Sequence, residues 1–279
     1  MASRGGARRA ARRRGCPRGT RMTTAGTRRT ASGQGQGGRA DGFGCLDAPA
    51  PRGFARMQAY LVDRIKRAAL RRLHRSGHGE RWMLRMYLIG EEATECALHD
   101  EWTGDAPDWI AQRIERHLAD ERRHAAAFVD ALQARGVQVD GPGRPDWLSR
   151  RKIARWRRIA RRHAPHFAHG LLVPAYATGL CAEQMAMRVL ARHCGVIGAR
   201  HPMYPLLSRV LTDEVRHVRL CTETLRRLVA PSEAVRLAAL LDEIRAVDAG
   251  FGVTGALAMY AAGWFHALRP GARPPASAA

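Results

Sequence analysis

The 279-residue chain has little lysine, few aromatic residues and no paired cysteines, and each shortage removes a class of protein. Its six cysteines (Cys16, Cys45, Cys96, Cys181, Cys194 and Cys221) form no C-x-x-C pair. Neither a rubredoxin-type metal centre nor a disulfide framework is indicated, and a reducing cytoplasm fits that usage. Aromatics are 6% of the chain and β-branched residues are sparse, while Ala, Leu and Arg abound. That balance favours helices over strands. No apolar core suited to a secretory signal is present. The uncharged stretch Ala249–Leu268 is nearly long enough to span a bilayer but is Gly/Ala-rich and only mildly apolar. A buried fifth helix is the expectation there.

Acidic residues are scarce too, and the net charge is +22. Half of it lies in residues 1–56, where 13 Arg face only Asp41 and Asp47. This Gly-, Arg-, Ser- and Thr-rich stretch has no apolar period and predicts a disordered basic tail. An organellar transit peptide is a second reading. The third is a start-site artefact, because 45 Arg against 2 Lys suggests a GC-rich coding sequence, with the true start near Met57. The folded domain is then expected over 57–268, with a disordered tail over 269–279.

Helical patterns fill that domain. A basic amphipathic helix covers 57–76, followed by helices over about 80–102 and 108–135. An Arg-dense helix spans 149–163, with Ile153, Trp156 and Ile159 as its apolar ridge. Further helices cover about 166–194, kinked at Pro174, and 203–229. A last one runs to Leu268, broken or bent by Gly250, Gly252 and Gly255. The Arg-dense helix reads as a solvated face, as contact with an anionic membrane surface, or as an RNA contact.

One motif occurs twice, Leu118-Ala-Asp-Glu-Arg-Arg-His124 and Leu211-Thr-Asp-Glu-Val-Arg-His217, both L-x-D-E-x-R-H. Glu121 with His124, and Glu214 with His217, stand at i and i+3 and so share one helix face. In the first of these helices Ile114, Leu118, Glu121, His124, Phe128 and Leu132 are expected on that inward face. Two further glutamates interrupt apolar stripes: Glu91 beyond Leu84 and Leu88, and Glu183 between Leu180 and Met187. A core-facing carboxylate is costly unless it is paired, protonated or on a metal. Glu91 precedes Glu121 by 30 residues and Glu183 precedes Glu214 by 31. With 12 Glu and 12 His, about half an E-x-x-H is expected by chance, so one alone would mean little. Here both occurrences are D-E-x-R-H and both follow an inward Glu.

This doubled pattern resembles the oxygenase and oxidase branch of the ferritin-like di-iron carboxylate superfamily, over residues 80–229. The resemblance implies a four-helix bundle with flanking helices and six ligands: Glu91, Glu121, His124, Glu183, Glu214 and His217. It implies that Asp120 and Asp213, each four residues before its own motif histidine, accept the Nδ1 proton of a ligand histidine; the other reading pairs them with Arg123 or Arg216. Glu91, Glu92 and Glu95 compete for the first ligand position. Glu95, facing inward one turn from Glu91, is expected as an extra ligand, a proton carrier or an arginine partner. His99 and His117 are expected as partly exposed helix residues, and Cys96, Cys181 and Cys221 as small buried apolar residues.

Departures narrow the activity. Phe128 stands where radical-forming ribonucleotide reductase small subunits carry tyrosine, and Met187 where multicomponent monooxygenases carry threonine. The absent cysteine pairs argue against a rubrerythrin, and the second E-x-x-H against a storage ferritin. The expectation is an O2-dependent di-iron oxidase or oxygenase, with Mn or mixed Mn/Fe as alternatives. An external reductase would feed it, since no second redox motif is visible. Its substrate would be apolar, in a cavity lined by Tyr176, Leu180, Met187 and Phe128. A ferroxidase, a manganese catalase-like enzyme, and a bundle that only docks on membrane or RNA are the rivals. The location is cytoplasmic, with peripheral membrane contact and a homo-oligomer both compatible with the sequence.

Overall fold

The chain folds, in a computed structural model that describes residues 43–102 (without the side chains of 96–102), 108–141, 143 and 145–268, into helices joined by short turns. These are α1 (Gly53–Leu73), α2 (Gly77–Trp102), α3 (Asp108–Gln133), α4 (Trp147–His163), α5 (Leu172–Ile197), α6 (Tyr204–Leu228) and α7 (Ala234–Ala267). Among the described residues there is no strand, so the all-α expectation holds. No helix among them is long and apolar enough to cross a membrane.

Helix α2 packs on α3, α5 on α6, α3 on α6 and α2 on α5, so these four close a ring around a shared interior. One end of that interior is filled by Leu84, Leu88, Phe128, Leu132, Leu190 and Leu207. The other is filled by Ile110, Tyr176, Leu180, Leu225 and residues of α7. Apolar side chains at i, i+3, i+4 and i+7 put one stripe of each helix inward. At about 25 cal/mol per Å² removed from water, that burial is the main stabilising term. Helix α7 lies against α1, α4 and α5 outside the ring.

Local chemistry sets the helix ends. Asp146 accepts from Leu148 N at 2.7 Å and Ser149 N at 3.0 Å, capping α4. Gly198, at φ 76°, ends α5 in a conformation that L side chains rarely adopt. Between α1 and α2, a Cβ on Gly79 would lie 2.2 Å from the Leu73 carbonyl oxygen, so this turn requires glycine.

Several expectations change. The tail expected over 1–56 gives way to folded chain from residue 43: Leu46 is buried. Its carbonyl accepts from Gln184, and Arg245 donates to the Cys45 and Asp47 carbonyls. Residues 1–42 and 269–279 lie outside the described residues, as do the side chains of Cys96 and His99. Helix α7 runs unbroken through its glycines. Its large buried side chains lie in the first half, Leu237 to Val247; in the uncharged stretch Ala256 and Gly263 are buried whereas Leu257, Trp264 and Phe265 are exposed, so that stretch is a half-exposed helix and not the buried one expected. Pro174 falls in the first turn of α5, where its missing N–H leaves no bond unmade, and causes no break. The ridge of α4 packs inward through Trp156 and Ile159, leaving its arginines outside.

Candidate metal centre

Glu91 from α2, Glu121 and His124 from α3, Glu183 from α5, and Glu214 and His217 from α6 all point into the ring's interior. None is more than 8% exposed. Their donor atoms make two overlapping groups that could hold metal ions: Glu91, Glu121 and His124, and His117, Glu121, Glu183 and His217. Glu121 belongs to both. Glu214 stands beside the second group, its carboxylate 3.9 Å from His217 Nδ1.

His117 is the residue that the sequence reading missed. It is 3% exposed rather than partly solvated. Its Nε2 lies 2.9 Å from Glu121 and 3.1 Å from Glu183. The buried positions of α3 run Ile110, Ile114, His117, Glu121, His124, Phe128 and Leu132. That is a regular alternation of four and three, which a stripe drawn through Leu118 overlooks by one residue, or about 100° of rotation. In the repeat, His117 answers to Val210, so the two halves are not equivalent and the buried donors number seven.

Behind the histidines the aspartates are crossed. His124 Nε2 donates to Asp213 at 3.0 Å and His217 Nε2 to Asp120 at 3.2 Å. Each aspartate thus serves the histidine of the opposite helix through Nε2, not its own through Nδ1. Arg123 bridges both aspartates at 2.7 and 3.0 Å, and Arg216 pairs with both from the other side. The pairing with arginine, one of the sequence's two readings, therefore coexists with the pairing to histidine. With the proton held on Nε2, the Nδ1 lone pairs of His124 and His217 face the glutamates, the tautomer that metal binding requires.

Glu95 does not face the interior: it accepts from Arg122 at 2.6 Å near the surface, so of its three readings the arginine partner is the one found. Glu92 accepts from Gly143 N at 2.6 Å, outside the group, which leaves Glu91 as the α2 donor.

The electrostatics explain what such a cluster needs. At about 4 Å, two like charges repel by ~4 kcal/mol even at an effective dielectric of ~20. Burial, with the Glu183 charge and then Glu91 close by, pushes the Glu121 carboxyl well above the usual range. Burial and Glu183 do the same to Glu214. Glu183 falls well below it, because hydrogen bonds from Glu214, His117 and His217 outweigh its burial. Burial alone would depress His217, but Glu183 and Glu214 hold it up at about 10.

A metal ion fits these residues. Both ring nitrogens of His117, the Nδ1 atoms of His124 and His217, Glu121 Oε1 and Glu214 Oε2 are buried, and their contacts are with one another inside the cluster. All are inward donors of the nitrogen and carboxylate type that first-row divalent ions take.

A cleft of about 570 Å³ between α3 and α6 reaches the buried His117 and His217, past Leu220 and a rim of Arg113, Arg116 and Arg219. The apolar cavity expected around Tyr176, Leu180 and Phe128 is packed core instead, all three being fully buried.

No known protein family, curated protein or solved structure matches the chain. Fold and site together define a class: an all-helical protein with buried histidine and glutamate groups able to hold metal.

Proposed function

We propose that the chain is a ferritin-like di-iron carboxylate protein, an O2-dependent oxidase or oxygenase supplied with electrons by a separate reductase. The observation carrying this reading is the convergence of Glu91, Glu121, His124, Glu183, Glu214 and His217 from four helices into one buried cluster of facing donor atoms. Two iron ions held there would supply the redox chemistry of O2 reduction; manganese or a mixed pair would suit the same donors. Glu121, which belongs to both donor groups, would be open to either ion, and His117 would add a second imidazole to the group of His217.

Asp120 and Asp213 fix the ring orientation of His217 and His124 and raise their basicity. Arg123 and Arg216 hold those aspartates ionised. The cleft beside His117 and His217 is the approach for the organic substrate. Its Leu220 wall suits an apolar body, and its arginine rim favours a molecule that also carries an anionic group.

Loading the metal-free protein anaerobically with Fe(II) and admitting O2 tests this. An O2-dependent spectral change that vanishes in Glu121→Ala is expected. Tight manganese with rapid peroxide dismutation would replace the reading by a catalase-like one. Iron oxidation with no electron demand from a reductase would replace it by a ferroxidase.

A further inference from the structure

A second cluster of donors lies at one end of the ring. His74 ends α1, Glu80 sits in the first turn of α2, and His201 lies in the turn between α5 and α6. One donor atom from each falls within 4.8 Å of the other two. His74 Nδ1 is 3.2 Å, and His201 Nε2 3.5 Å, from the same oxygen, Glu80 Oε1. The rings of His74 and His201 meet edge to face at 4.7 Å between centroids. Sequence spacing gives no sign of this, since His74 and Glu80 flank one turn and His201 comes from another far along the chain.

We propose that His74, Glu80 and His201 form a second divalent-cation site, of the zinc type, that ties the α1–α2 turn to the α5–α6 turn. Two imidazoles and one carboxylate with an open fourth position are a donor set that zinc accepts. Glu80 and His74 are oriented from behind. Glu80 Oε2 accepts from Arg135 at 3.2 Å, which leaves Oε1 for the cluster. His74 Nε2 meets His193 Nε2 at 2.6 Å, and His193 Nδ1 meets the Tyr87 hydroxyl at 2.8 Å. A proton on His74 Nε2, donated to the fully buried His193, leaves Nδ1 bare toward Glu80, the tautomer that ligation needs. The turn is built to hold this register. Gly79 cannot bear a Cβ, and Ser76 Oγ accepts from Gly79 N at 3.0 Å. The His201 side chain is 23% exposed, which gives an ion a path from solvent.

The competing arrangement is a hydrogen-bonded chain with no ion: Tyr87 to His193, His193 to His74, and both His74 and His201 to Glu80. Met203 N, 3.2 Å from His201 Nδ1, favours it, because ligation through Nε2 places the proton on Nδ1 and ends that contact.

The site does not rest on the proposed activity, and zinc counting separates the two. Full-length protein, stripped with a chelator and dialysed against Zn2+ alone, is measured for metal per chain with and without His201→Ala. The replacement is expected to remove one tightly bound ion while helical content is kept. The same loss is expected with Glu121→Ala already in place, which disables the buried centre. An unchanged count in both backgrounds would overturn the site. Should the double variant fail to fold, the single comparison decides. His74→Gln is expected to reproduce the loss, and retention of the ion there would equally overturn it.

Discussion

Replacing Asp213 by asparagine removes a charge from behind the metal centre while keeping the shape of the side chain. Asp213 accepts from His124 Nε2 and from Arg123, each at 3.0 Å, and pairs with Arg216. Its side chain is 8% exposed against 22% for Asp120, so its field at the histidine is the less screened of the two. Loss of such an orienting partner weakens metal binding by roughly 10- to 100-fold. That is about 1.4 to 2.8 kcal/mol. Asp213→Asn is expected near the upper end and Asp120→Asn near the lower, because the Asp120 bond is longer, at 3.2 Å. Stability should change little. Arg123 and Arg216 are 53% and 60% exposed, and ion pairs to such groups contribute at most ~1 kcal/mol. Anaerobic titration with Co(II) or Fe(II) against a chromophoric chelator measures the affinity. Affinities of both variants within about twofold of the parent would refute the orienting role, that ratio being under ~0.5 kcal/mol.

Further outcomes follow from the same geometry. Between pH 7 and 9 the metal-free protein should lose thermal stability as pH rises. Raised carboxyls at Glu121 and Glu214 bind protons in the fold that the unfolded chain has released, and the His217 contribution, held to about 10, is lost in the same direction. A melting temperature that climbs over this range would contradict that sign. His117→Ala should leave two ions bound but alter the ligand field of one, read in the absorption of the cobalt-loaded protein; an identical spectrum would remove His117 from the donors. Leu84→Ala, at a fully buried position of α2, should cost ~2–5 kcal/mol in urea unfolding, and a cost under ~1 kcal/mol would show that site to be loosely packed. Gly79→Ala should cost about 1–3 kcal/mol through its clash with the Leu73 carbonyl, and a neutral result would mean that the turn can shift.

Much of the fold was legible because helical periodicity survives in one sequence. Each inward stripe carrying Glu91, Glu183 or a motif histidine keeps its three-and-four spacing, and six of the seven buried donors lie on such stripes. What failed depended on facing helices. His117 was lost to a count through Leu118, one residue out of phase. The aspartates were assigned to histidines four residues along their own helix, whereas α3 and α6 pack so closely that the opposite imidazole is the partner. Glu95 shares the nominal stripe of Glu91, yet Arg122 draws it outward. The uncharged end of α7 carries no sign of where the ring stops, and its Trp264 and Phe265 stay exposed. The His74 cluster joins two turns, and turns leave no period to follow.

Two ions held together by the buried carboxylates are the core of the proposed centre. Mössbauer spectroscopy of protein loaded anaerobically with two equivalents of Fe(II), then exposed to O2, tests this directly. Two ferrous ions in nitrogen–oxygen environments that oxidise together, and are lost together in Glu121→Ala, are the predicted result. A single independent iron, or a pair that Glu121→Ala leaves untouched, would contradict it.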